Sequence, residues 1–183
     1  MTDVEQHVAT ATFGGGCFWC LEAVFERMQG VQGVVSGYMG SEWPDPTYAD
    51  VCTGQSGHAE VVRVTFDTRI VDYSDLLRVF FTIHDPTTLN RQGNDHGSQY
   101  RSAIFYHDEQ QREIARQIII EIQAQITQPI VTELVPEGRF YPAEAEHQHY
   151  FALHPAQSYC QYVVAPKLAK FVQHFPQWVQ SSA

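Results

Sequence analysis

The chain has 183 residues, enough for one well-packed domain and short for two, and its 44% hydrophobic, 17% charged and 13% aromatic residues exclude a disordered protein. A net charge of −10 with only 11 basic residues argues against sequence-independent nucleic-acid binding, which needs clustered Lys and Arg. No apolar run approaches the roughly 20 residues that span a bilayer, and the opening MTDVEQHVATATF lacks both the basic start and the apolar stretch of an export signal. A cytoplasmic monomer that touches neither membrane nor nucleic acid is therefore expected, a single domain over 1–183 with a core at about 8–135 and a C-terminal segment at 136–183. The four cysteines are too few and too scattered for a disulfide scaffold.

Val8 to Phe13 alternates small, β-branched and aromatic residues and reads as a strand. Gly14-Gly15-Gly16 turns it into Cys17, and Phe18, Leu21, Val24, Phe25 and Met28 then recur at helical spacing, with Glu22 and Glu26 on the opposite, polar side. Gly30 is a stop signal, and Val31 to Tyr38 is a second strand. A polar loop from Met39 to Gly57 carries an exposed Trp43 and Tyr48. His58 to Phe66 alternates as a third strand, and a helix from about Asp72 to His84 has Leu76, Leu77, Phe80 and Phe81 as its apolar stripe. Asp85 to Arg101 is a long polar stretch with Asn90, Asp95 and Tyr100; structureless loops of this length inside a domain are usually functional.

Ser102 to Tyr106 is a fourth strand. Asp108 with Gln111 three residues on spells a capping box for a helix buried along Ile114, Ile118, Ile122 and Ile126 and stopped by Pro129. Ile130 to Val135 is a fifth short strand. A short helical piece follows with Glu144, Glu146, His147 and His149, then a final amphipathic segment from Pro166 to about Phe175. The order strand–helix–strand–strand–helix–strand predicts an α/β (α+β) fold, a two-layer ferredoxin-like plait with a mixed, mostly antiparallel sheet and helices on one face. Its loops would converge on the start of the first helix.

That start holds the chemistry. A cysteine at a helix N-terminus meets free N–H groups and the positive end of the dipole, which favour an anionic sulfur. Phe18 and Trp19 offer apolar walls able to house a methyl or thioether group. Glu60 has the parity of Val62, Val64 and Phe66, which puts a carboxyl on an apolar strand face, where burial keeps it protonated as a proton donor; placed past the strand end it would be solvated instead. Tyr48, Asp95 and Tyr100, from the two polar loops, could hydrogen-bond a polarised oxygen. His147 and His149 sit on different sides of a helix and no C-x-x-C pair elsewhere completes four ligands, so no metal is expected. The glycine run lacks the Lys-Ser/Thr ending of a phosphate loop.

The ordered segments GGGCFWC, PTYADVC, GHAEVV, GNDHGSQYRS and AEAEHQHY resemble the A-type peptide methionine sulfoxide reductases, over about Thr10 to Lys170. The resemblance implies reduction of methionine S-sulfoxide, free or in proteins, with no bound cofactor and with thioredoxin (or another dithiol) as reductant and partner. Carried over, the nucleophile falls on Cys17, the methyl-binding aromatics on Phe18 and Trp19, the acid on Glu60, and the oxygen-binding groups on Tyr48, Asp95 and Tyr100. Cys17 would become a sulfenic acid, condense with a resolving thiol and be recycled by exchange. Many relatives have glycine where this chain has Cys20, so Cys20 and Cys160 are both candidates for that thiol, Cys160 being the slightly favoured one. Cys52 reads as a structural thiol. The alternative activity is general thiol–disulfide exchange through Cys17 and Cys20, which would leave Glu60 idle.

Overall fold

The structure is a computed structural model and describes residues 7–180; the first six residues, where the opening read for an export signal begins, lie outside the described residues. The chain runs β1 (Val8–Gly14), α1 (Phe18–Glu26), β2 (Val31–Met39), α2 (Tyr48–Cys52), β3 (Ala59–Asp67) and α3 (Tyr73–Ile83). A small hairpin of β4 (Arg91–Gln92) and β5 (Asp95–His96) precedes β6 (Ala103–Tyr106) and α4 (Glu109–Gln123). After β7 (Glu133–Pro136) and β8 (Tyr141–Pro142) come α5 (Tyr150–Leu153), a π-helical turn over Cys160–Val164 and α6 (Ala165–His174). No helix among the described residues is long and apolar enough to cross a membrane.

The main sheet has the order β7-β6-β1-β3-β2-β8. Its four central strands are antiparallel, as the plait requires, and β7 joins β6 in parallel at one edge. The core lies between this sheet and α1 and α3. There Phe13, on the central strand β1, has no exposed surface and stacks on Phe80 at 4.9 Å, Phe25 at 5.6 Å and Tyr73 at 6.0 Å between ring centres. Truncating it opens a cavity that three rings from both helices cannot fill together. Phe13→Ala is expected to cost about 3–5 kcal/mol of stability, read as a lower urea midpoint with an unchanged slope. A smaller apolar layer of Met39, Ala59, Val61, Ala103 and Phe105 lies apart from that core.

Several local readings are corrected by tertiary context. Glu22 does not face solvent: it is 1% exposed, accepting from the Ser36 hydroxyl at 2.9 Å and the Tyr150 N–H at 3.2 Å, because the C-terminal segment covers that side of α1. The loop after β2 contains α2, nucleated by a capping box between Thr47 and Asp50. Asp108 caps α4 by accepting from Gln111 N–H at 2.7 Å, yet the Gln111 side chain serves His107 N–H and the Thr10 carbonyl, so the reciprocal half of the box is missing. Helix α4 ends at Gln123, before Ile126 and Pro129, and only Ile118 of its isoleucine row is fully buried. The fifth strand is β7 at Glu133–Pro136, starting three residues later than its pattern suggested.

Candidate active site

Cys17 is the N-cap of α1, with extended backbone angles (φ −65°, ψ 132°), and its side chain makes no capping bond. The glycines before it are required by packing. Gly16 has φ +86°, and a β-carbon there would lie 2.9 Å from Gln92 Cγ. Its N–H donates to the Tyr100 carbonyl at 3.1 Å, which ties the long polar stretch to the helix start.

Glu60 comes in from the beginning of β3 and is 1% exposed. The Phe18 N–H, a free donor of the first helical turn, donates to its Oε1 at 3.1 Å, while Oε2 accepts no hydrogen bond among the described residues. Burial pushes its pKa up to about 8; the Phe18 N–H and the nearby Cys17 thiol pull the other way and the charge of Asp95 adds to the rise. At neutral pH the group is therefore mostly a carboxylic acid. The parity of β3 thus places this carboxyl beside Cys17.

The thiol itself departs from the expectation of an anionic sulfur. Cys17 is 7% exposed, and burial raises its pKa well above the usual thiol value, with the charges of Glu60 and Cys20 adding to that. The Trp19 N–H and the polar hydroxyl of Tyr159 work against this without reversing it. Desolvation outweighs the helix start, so the resting group is a thiol held next to an acid.

Around this pair the aromatics close a hollow. Phe18 is fully buried, with Tyr48 at 6.4 Å and Trp19 at 6.5 Å between ring centres. Tyr48 and Tyr100 are half-buried. Burial first, with further contributions that include the charge of Glu60, raises the pKa of both phenols, so they remain hydrogen-bond donors. Asp95, on β5, accepts from the Tyr159 hydroxyl at 2.6 Å. The predicted residues Cys17, Phe18, Trp19, Tyr48, Glu60, Asp95 and Tyr100 are thus brought to one place.

The C-terminal segment's share of this wall was not read from the residues. Tyr150 stacks flat on Trp19, 3.7 Å between centres and 5° between planes. His147 packs on Tyr48 at 4.2 Å and on Trp19 at 5.9 Å. Glu144 anchors the segment, accepting from the Tyr38 hydroxyl and the Tyr48 N–H, each at 3.0 Å. The available signal was the density of Tyr and His between 147 and 159, in a stretch with no period to say which way they point. Glu22, Glu26 and His149, and separately Glu144, Glu146 and His147, bring potential ligand atoms within 4.8 Å of one another. Glu22 and Glu144 in these groups are already committed to protein donors.

Of the remaining cysteines, Cys20 is fully buried one turn along α1 from Cys17, its N–H donating to the Cys17 carbonyl at 3.1 Å. Cys160 is also fully buried, with its thiol 3.5 Å from Gln157 Oε1 in its own segment. Cys52, read as structural, is exposed at the end of α2.

Residues 9–179 match the family model described as peptide methionine sulfoxide reductase. A peptide methionine sulfoxide reductase MsrA of Polynucleobacter asymbioticus is 54% identical over 167 residues, covering 90% of this chain and 88% of that protein. Mxr1 from Saccharomyces cerevisiae, solved in reduced form, superposes with a TM-score of 0.79 at 32% identity, over 85% of this chain and 90% of that one. A second structure, of Mxr1 in complex with Trx2, gives a TM-score of 0.58 at 24% identity, over 82% and 89%. A buried acid facing a thiol inside an aromatic hollow, on a fold and a sequence shared over nearly the whole described chain, leaves one assignment: this chain belongs to the A-type peptide methionine sulfoxide reductase family.

Proposed function

We propose that this chain reduces methionine S-sulfoxide, free or within proteins, through Cys17 with Glu60 as the proton donor. The observation that carries the assignment of roles is the buried carboxyl of Glu60, un-ionised at neutral pH, with Oε2 unpartnered next to the thiol. The sulfoxide methyl group sits against Phe18 and Trp19, and the oxygen is held by the protonated phenols of Tyr48 and Tyr100. Asp95, hydrogen-bonded to Tyr159, orders the polar side of the hollow.

In the reaction, Glu60 gives its proton to the sulfoxide oxygen as the Cys17 sulfur attacks the sulfoxide sulfur. The thiol proton passes to the carboxylate that this leaves. Collapse of the adduct frees the thioether and leaves the oxygen on Cys17 as a sulfenic acid, so sulfur in methionine gains the two electrons that Cys17 loses. A resolving thiol then displaces water to form a disulfide, and a dithiol reductant, thioredoxin in our reading, restores the enzyme by exchange. Support for thioredoxin comes from the likeness to Mxr1, a protein solved in complex with Trx2.

The groups that act on the sulfoxide all lie on this chain, and we read the protein as a single-domain cytoplasmic monomer with no bound cofactor. The competing activity, general thiol–disulfide exchange through Cys17 and Cys20, gives Glu60 nothing to do. Offered both epimers of a methionine sulfoxide peptide, the enzyme is expected to consume the S form and leave the R form, because a pocket with its methyl wall and its oxygen donors on fixed sides accepts one hand. Chiral chromatography of the remaining substrate reads this directly; equal consumption of the two epimers would contradict the pocket described.

A further inference from the structure

We infer that Cys20 is the thiol that first resolves the Cys17 sulfenic acid, and that Lys167 is the positioning residue that favours its thiolate. The inference rests on the reductase reading and concerns its second step.

The backbone favours Cys20. Residues three apart in a helix have α-carbons about 5 Å apart by helix geometry, inside the roughly 4.4–6.8 Å range a disulfide spans. Cys17, as N-cap with extended angles, has backbone freedom that a residue inside the helix lacks. Cys160 is placed differently. The residue of the C-terminal segment that faces the site is Tyr159, whose hydroxyl donates to Asp95 at 2.6 Å and whose ring meets Trp19 edge-on, 5.8 Å between centres. Tyr159 and Cys160 both lie in helical backbone, where neighbouring side chains diverge by about 100°. With Tyr159 turned into the site, the Cys160 thiol faces Gln157. Bringing it to Cys17 requires that turn to unwind and Tyr159 to leave.

Lys167 supplies the charge. It lies on α6, which packs against α1, and a β-carbon on Gly16 would sit 3.7 Å from its Nζ, so the ammonium lies against the start of the Cys17–Cys20 turn. Among the described residues no carboxylate pairs with it. The groups facing Cys20 are Lys167 from α6, Tyr159 from the C-terminal segment, Asp95 from β5 and Glu60 from β3. Burial pushes the Cys20 thiol up to about 11; Lys167 is the largest influence in the other direction, followed by Tyr159, and the two carboxylates oppose them. The step balances without any outside redox agent. Cys20 attacks the Cys17 sulfur, an S–S bond forms as the S–O bond breaks, the oxygen takes a proton from Glu60 and leaves as water, and the proton lost by Cys20 restores the Glu60 carboxyl.

The test is a single turnover of the full chain with excess sulfoxide, acid-quenched at successive times, with methionine quantified and the disulfide mapped by mass spectrometry. One methionine per chain and a Cys17–Cys20 disulfide at the shortest times are expected. Methionine released with Cys17–Cys160 as the first disulfide overturns the inference while leaving the reductase reading intact; no methionine at all overturns both. In Lys167→Met, decay of the sulfenic acid is expected to slow severalfold, up to about tenfold, with its pH profile moved upward by up to about one unit. Lys167→Arg, which keeps the charge, restores both. A Met variant whose decay shows an unmoved pH profile removes Lys167 from this role.

Discussion

Cys17→Ser is expected to leave no turnover, a loss of at least ~10⁴-fold, with no methionine released even when enzyme exceeds substrate. The reason lies in the atom. Sulfur can accept the sulfoxide oxygen because an S–OH product is a stable, reversible oxidation level, whereas a serine oxygen would have to form an O–O bond. The substitution removes the chemistry and spares the architecture: the side chain is nearly the same size, makes no capping bond, and leaves the Phe18 N–H free to bind Glu60 as before. Thermal unfolding should therefore stay within about 1 kcal/mol of the parent, while a sulfenic-acid trap labels the parent after one turnover and the variant not at all. Release of methionine by the folded Ser variant would place the oxygen acceptor elsewhere.

The contrast between thiol and acid shows what the sequence could reveal. Glu60 was legible because a strand has a period of two, so its parity with Val62, Val64 and Phe66 fixes its face whatever the tertiary context. The order of strands and helices was legible for the same kind of reason, and it carried the two polar loops to Cys17. The ionisation of Cys17 was not. The helix start is visible in the glycines and the spacing that follows, but burial of the thiol is a property of the assembled site, and it wins. Glu22 failed similarly: a helical wheel shows one face to the core, and nothing local says that Tyr150 will close over the other. The shortest elements were lost because five residues of α2, or the turns between 145 and 164, are too brief to display a period. The aromatic wall of Tyr150, His147 and Tyr159 sits in just that stretch.

Glu60→Gln is expected to slow methionine release by about 10²–10⁴-fold at pH 7 while making the protein more stable. Both effects follow from one displaced pKa. The folded-state value, about 8, lies above the ordinary 4.5. A carboxyl raised in this way adds most to stability below about pH 4.5; that contribution is lost as the pH rises, and the loss is complete once the folded-state value near 8 is passed. At pH 7 the parent is already well into that loss, whereas an amide of the same shape has no proton to lose. The gain for the variant is on the order of 3 kcal/mol at pH 7 and should vanish near pH 4, a difference that urea titrations at the two pH values would show.

The rate has its own signature. In the parent the reacting state holds both the Glu60 and the Cys17 protons, so single-turnover methionine release should fall as pH rises through about 8. The amide can neither supply a proton to the oxygen nor take one from the thiol. What rate remains in the variant depends on spontaneous ionisation of Cys17, whose pKa lies well above the usual value, so it should climb with pH over the interval where the parent declines. A variant with parent-like rates and a parent-like fall above pH 8 would mean that the proton comes from another group, the phenols of Tyr48 and Tyr100 being the donors to examine.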